Sequence, residues 1–312
     1  MLRKPLLYLS EQPKVFRFVR RNRLARGFAR RFVAGETIDD AMTAVRGLNA
    51  KKISVSLDLL GESVTNESEA RATGREYLKL LDTIHQQGLD SNVSLKLTAM
   101  GLDLSEDLCV SIMQEILERA ERYGTFVRID MESSEYTERT LHLFEHRLYP
   151  SWPKNVGIVL QSYLRRTAAD VEDAIRMKCR VRLCKGAYQE PATVAFPDKR
   201  DVDENYVRCT KRLMSEGNYP GLATHDEKMI DAAKRWAAEQ GIPPERYEFQ
   251  MLYGVRRDLQ ERLVQEGYRM RVYVPFGTQW YPYLMRRLAE RPANIAFMTG
   301  SLLKETFSFR RR

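Results

Sequence analysis

Polar residues of reactive type recur at the ends of short apolar runs. Lys96, Asp130, Gln161, Lys185, His225 and Tyr273 all stand there. The two lysines suit a Schiff-base nucleophile or an anion-binding cation. An amine nucleophile needs an apolar pocket or a second cation, and Lys185 lies in RVRLCKGAY beside Arg182, so an anionic ligand is an equally natural partner. The tandem Arg286 and Arg287 follows Trp280, Tyr281 and Tyr283 in WYPYLMRRLAERPAN. Two adjacent arginines cannot share the solvent side of a helix, and with those aromatics they form a pocket suited to a small carboxylate with a hydrocarbon body. Surface salt bridges to Glu290 or Glu266 account for them equally well. His142 and His146 have the i, i+4 spacing of a zinc pair but lack a third ligand nearby, which favours ordinary surface or core histidines. Neither GxGxxG after the first strand nor GxxxxGK[ST] anywhere is present, so a Rossmann dinucleotide site and a P-loop are unsupported.

The elements that must position these residues are countable. Strand candidates begin at Ile53 (ISVSLDLL), Val93 (VSLKL), Phe126 (FVRIDM), Val156 (VGIVLQ), Arg180 (RVRLCKG), Gly221 (GLATH), Tyr247 (YEFQML) and Met270 (MRVYVP). Helix-length segments separate them; SEDLCVSIMQEILERAERYG has an N-cap at Ser105 and a stop at Gly124. Eight βα units match a (β/α)₈ barrel, typically ~250 residues, with an open doubly wound sheet as the competitor. The barrel is favoured because its active sites lie at the C-terminal ends of strands, where the polar residues fall. The expected division is a helical N-terminal arm over 1–50, with a cap at Thr37, a barrel over 51–300 and a basic tail over 301–312.

The net charge of +9 in 312 residues belongs to one segment. Residues 1–31 hold ten Lys or Arg and one acid, and the rest balances. That excludes a histone-like basic protein. No apolar run approaches the ~18 to 20 residues that cross a bilayer, and the N-terminus lacks a secretory signal. Four cysteines, Cys109, Cys179, Cys184 and Cys209, have neither disulfide-framework nor CxxC spacing, which points to a reducing cytoplasm.

The segments DLLGE (from Asp58), SLKLTAMGLD, VRIDMESSEYTERTL, VGIVLQSYLRRTAAD, VRLCKGAYQEP, LATHDEKMI, EFQMLYGVRRDLQ and VYVPFGTQWYPYLMRRLAERPAN, with RRFVAGE before them, carry a resemblance. In order and in register, they resemble proline dehydrogenase, the flavoenzyme of proline catabolism, in its short monofunctional bacterial form. The resemblance implies a distorted barrel holding noncovalent FAD at the C-terminal strand ends. Arg286, Arg287 and Lys96 would bind the proline carboxylate, and Leu252, Tyr273 and Tyr283 would pack on its ring. Arg182 and Lys185 would reach the flavin, Arg182 near N5, and Asp130 would orient Lys96 and neighbouring groups. Met131, Gln161, Gly186, Ala187, Thr224 and His225 would line the FAD, and Glu62 would pair with Arg286 to gate the site. Cys184 stands where Val is usual and Phe276 where Tyr is common.

Hydride would pass from proline C5 to flavin N5, giving Δ1-pyrroline-5-carboxylate, and the electrons would go to a membrane quinone. That implies a cytoplasmic protein associated peripherally with the inner face of the cell membrane, with a pyrroline-5-carboxylate dehydrogenase as possible partner and no nucleic acid. An anionic membrane surface is the partner considered for residues 1–31, where Leu24, Phe28 and Phe32 recur four apart among arginines. Packing on the barrel is the alternative for them. Two rival functions are a lysine Schiff-base aldolase and a membrane- or nucleic-acid-binding module built on the basic arm.

Overall fold

The computed structural model describes residue 27, residues 29–61 and residues 64–290, with backbone alone for 286–290. Its eight strands are β1 (Ser54–Leu59), β2 (Ser91–Leu95), β3 (Val127–Ile129), β4 (Val156–Gln161), β5 (Arg180–Cys184), β6 (Gly221–Ala223), β7 (Glu248–Leu252) and β8 (Met270–Phe276). Each pairs in parallel with the next, and β8 pairs with β1, so the sheet closes into a barrel. Its helices are α1 (Ile38–Asn49), α2 (Glu67–Gln86), α3 (Glu106–Arg122), α4 (Ser134–Leu143), α5 (Thr167–Met177), α6 (Lys199–Glu216), α7 (Glu227–Gln240), α8 (Arg257–Gln265) and α9 (Trp280–Glu290).

The strands alternate, which buried parallel strands seldom do. In β1, Val55 and Leu57 belong to the main apolar cluster, and the intervening Ser56 and Asp58 are equally buried. The apolar side packs outward on the helices, so the polar side must fill the lumen. The helices supply the matching surface. In α3, Leu108, Ile112, Met113, Ile116 and Ala120 form one buried stripe. Ser105 caps α3 by accepting from the Leu108 amide, and Gly124 ends it at a φ of 62°. Thr37 and Asp40 form a reciprocal capping box at the start of α1.

Two helices depart from a regular barrel. α1 precedes β1 and packs on β1 and β8 from the side through Ala41, Met42 and Val45. α9, which follows β8, instead joins a second apolar cluster in which Trp280, Tyr281, Tyr283 and Leu284 meet Ala29, Phe32, Val33 and Leu60. Leu60 follows β1 directly, so this cluster lies at the C-terminal mouth of the barrel. The Trp280 indole N–H fastens it by donating to Glu36, 2.9 Å away. Phe32 therefore packs on the barrel, whereas Leu24, Phe28 and the tail 301–312 lie outside the described residues.

Candidate active site

Hydrogen bonds between strands that are not neighbours can be made only through the lumen, and they locate the site. Arg182 on β5 is their hub. Its Nη1 donates to Asp130 Oδ1 (2.6 Å), its Nε to Gln250 Oε1 (2.6 Å) and its Nη2 to Ser56 Oγ (3.2 Å). Asp130 also accepts from the Tyr273 hydroxyl (2.8 Å) and from Ser94 (3.2 Å). The guanidinium carbon of Arg182 lies 5.2 Å from the Tyr273 ring centre, a cation–π distance. Burial pushes the Tyr273 phenol well above its ordinary value, helped by Asp130 and Asp58, so Tyr273 stays a donor. Lys96 Nζ is 3.9 Å from Asp58 Oδ1. Lys96 and Asp130 stand just beyond the C-terminal ends of β2 and β3, the usual place for barrel chemistry, whereas Arg182, Gln250, Ser56 and Tyr273 lie midway along their strands, so Tyr273 does not end its strand as expected.

Beneath them lies a second polar layer. Glu248 Oε1 accepts from Arg271 Nε (2.7 Å) and from Gln250 Nε2 (2.6 Å). Arg128 donates to the carbonyls of Ile158 (2.9 Å) and Arg180 (2.6 Å). Burial, with Arg182 and Arg271 close by, pushes Arg128 down to about 9, still charged at neutrality. For Glu248, burial alone would raise the carboxyl; the ion pair and hydrogen bond from Arg271 outweigh it and hold the group below its ordinary value.

The β5–α6 loop forms one wall. Gly186 there has a φ of 101°, and a Cβ on it would lie 2.3 Å from the Tyr163 ring, so glycine is required. Ala187 follows, half-buried. Glu190 ties the loop down by accepting from the Ser134 amide (2.8 Å), the Ser134 hydroxyl and the Tyr163 hydroxyl (3.3 Å). Lys185 Nζ is ion-paired with Asp203 (2.5 Å) and Asp226 (2.9 Å). This is not the apolar pocket that a Schiff-base amine needs. Gln161 gives its amide N–H groups to the carbonyls of Glu132 and Met131. Its buried Oε1 has no hydrogen-bond partner among the described residues. His225 Nε2 accepts from the Leu252 amide at 2.9 Å, and Thr224 Oγ1 from the Asp226 amide at 3.1 Å.

The structure thus places Lys96, Asp130, Met131, Gln161, Lys185, Gly186, Ala187, Thr224, His225 and Leu252 at or beyond the C-terminal ends of strands, Arg182 and Tyr273 midway along β5 and β8, and Tyr283 in the buried mouth cluster. Asp130 bonds Arg182, Tyr273 and Ser94, and among the described residues Asp58 is a carboxylate beside Lys96. Arg286 and Arg287 lie on α9, but their side chains, and all of Glu62, fall outside the described residues. Asp58, Gln250, Glu248 and Arg271 are site residues that sequence reasoning passed over. His142 and His146 are exposed with rings 4.6 Å apart, and the described residues contain no group of three metal-binding side chains.

A closed (β/α)₈ barrel whose lumen carries Arg182, Asp130 and Tyr273 in one hydrogen-bonded network has the architecture of an enzyme barrel. The proline dehydrogenase family model matches residues 41–300. Proline dehydrogenase 1 of Bacillus subtilis (strain 168) is 44% identical over 305 residues, covering 98% of this chain and 100% of its own. The bifunctional protein PutA of Escherichia coli (strain K12) is 31% identical over 86% of this chain and 23% of its own. A crystal structure of proline utilization A from Bdellovibrio bacteriovorus, inactivated by N-propargylglycine, superposes with a TM-score of 0.81 at 28% identity, covering 90% of this chain and 34% of that one. The chain spans 34% and 23% of the length of these two PutA proteins. It belongs to the proline dehydrogenase family, and its reaction is the oxidation of proline.

Proposed function

We propose that the chain oxidises L-proline to Δ1-pyrroline-5-carboxylate with noncovalent FAD, and that a membrane quinone takes the electrons. The observation that carries this reading is the Arg182 guanidinium, fixed in the lumen by Asp130, Gln250 and Ser56. The residues fit a flavin. Gln161 offers a buried acceptor in need of a donor, Gly186 lets the backbone approach closely, and Lys185 stands on the same wall. When bound, FAD supplies the hydride acceptor. Met131, Gln161, Lys185, Gly186, Ala187, Thr224 and His225 would hold it, and the positive charge of Arg182 would favour its reduced form.

Substrate binding is assigned to Arg286, Arg287 and Lys96, which clamp the carboxylate, while Leu252, Tyr273 and Tyr283 pack on the ring. Asp130 holds Arg182 and Tyr273 in register. Glu62 pairing with Arg286 closes the site. Since the clamp acts equally on ground and transition states, Arg287→Met should raise the KM for proline with kcat little changed. A wild-type KM with an artificial electron acceptor would refute the carboxylate assignment.

The quinone places the protein at the inner face of the membrane as a peripheral protein, and no described helix is long and apolar enough to cross one. A pyrroline-5-carboxylate dehydrogenase is the expected consumer of the product; one PutA relative is itself named bifunctional.

A further inference from the structure

Below Arg182, a chain of side chains runs from the backbone of β1 to the guanidinium. Arg271 Nη1 donates to the Val55 carbonyl (2.8 Å) and its Nε to Glu248 (2.7 Å), and Glu248 accepts from the Gln250 amide (2.6 Å). Gln250 in turn accepts from Arg182 Nε at 2.6 Å. Arg182 Nε is a donor only, and an ionised carboxylate is an acceptor only. Just one of the two orientations of the Gln250 amide satisfies both neighbours; rotated by half a turn, donor would face donor and acceptor would face acceptor. Glu248 and Arg182 therefore lock the Gln250 amide between them, and Glu248 anchors its far end. The Tyr219 hydroxyl, donating to Glu248 at 3.1 Å, fixes the carboxylate from another side. The space for this amide comes from β6, where Gly221 pairs in register with Arg182, and a Cβ on that glycine would lie 2.3 Å from Gln250 Nε2.

We propose that Glu248, acting through Gln250, is a positioning residue that fixes the Arg182 guanidinium where the flavin meets it. This rests on the reading that the chain oxidises proline with bound FAD. The described partners of Glu248 are Arg271, Gln250 and Tyr219, none of them assigned to the proline carboxylate, so its effect belongs to the flavin rather than to substrate affinity.

The test uses flavin-loaded protein, with wild type, Glu248→Gln, Gly221→Ala, Gln250→Leu and the double variant Glu248→Gln/Gln250→Leu compared by stopped flow and redox titration. Wild type that does not bleach with proline overturns both the functional reading and the proposal. With wild type bleaching, losing a charge-assisted hydrogen bond should slow flavin reduction in Glu248→Gln about tenfold at saturating proline. The potential should become more negative by about 30 mV, the two-electron equivalent of tenfold, with proline KM little changed. Gly221→Ala displaces the same amide without altering charge and should move rate and potential the same way; it carries the test if Glu248→Gln does not fold. In the double variant, Glu248→Gln should add nothing to Gln250→Leu. Unchanged rate and potential, an effect confined to KM, or fully additive losses would each overturn the assignment.

Discussion

At the scale of single residues, Asp130 serves several groups at once. It accepts from Arg182, Tyr273 and Ser94, so Asp130→Asn removes the charge that holds the guanidinium while keeping the shape. The expected loss is about 1.5 to 3 kcal/mol of transition-state stabilisation, roughly ten- to a hundredfold in kcat, measured by steady-state assay with proline. An unchanged kcat would remove Asp130 from the machinery. Cys184, half-buried, ends β5 beside Lys185. What escaped the sequence reading is concentrated in the second polar layer. A polar residue every second position in β1 or β7 reads equally as a solvent face or a lumen face. Only closure of the barrel tells them apart, because the deciding bonds join residues far apart in sequence: Ser56 to Arg182 and Asp130 to Tyr273.

At the scale of elements, close approach explains the glycine on β4. A Cβ at Gly157 on β4 would lie 2.3 Å from the Arg180 carbonyl and 2.8 Å from Arg128 Nη1. Gly157→Ala should therefore destabilise the barrel by about 1 to 3 kcal/mol through overpacking, read as a lowered melting temperature. The β5–α6 loop is held by Glu190 on Ser134 and Tyr163. Glu190→Ala should weaken FAD retention on dilution while proline KM changes little; equal retention would show that the latch does not serve the cofactor. Strand identities were readable from sequence because each apolar run is bounded by turn residues and followed by a periodic helix. Their ends were less so: β3 and β6 stop at Ile129 and Ala223, short of the expected Met131 and His225; the Asp130 and Thr224 amides still bond the neighbouring strands.

At the scale of the whole molecule, charge sets both acid stability and the membrane question. Burial by itself would raise Asp203, Asp226 and Glu248, but the hydrogen bonds from Lys185 to the two aspartates and the ion pair with Arg271 hold all three below their ordinary values of 3.8 for Asp and 4.5 for Glu. Carboxylates lowered on folding contribute stability that is complete above those ordinary values and lost as pH falls through the folded ones. Stability should thus decline below pH ~4.5, and Asp226→Asn should flatten that decline in acid melting curves. The N-terminal charge is a separate matter. Deleting residues 1–22 should abolish sedimentation with anionic vesicles if the arm rests on lipid at ~1 kcal/mol per basic residue; unchanged sedimentation would leave those arginines a role in solubility alone. The central claim, that this barrel oxidises proline with a bound flavin, is tested most directly by one spectrum. Flavin absorbance of the purified chain, recorded without oxygen before and after adding L-proline, should bleach on addition; a colourless protein that takes up no FAD, or a bound flavin that proline leaves oxidised, would contradict it.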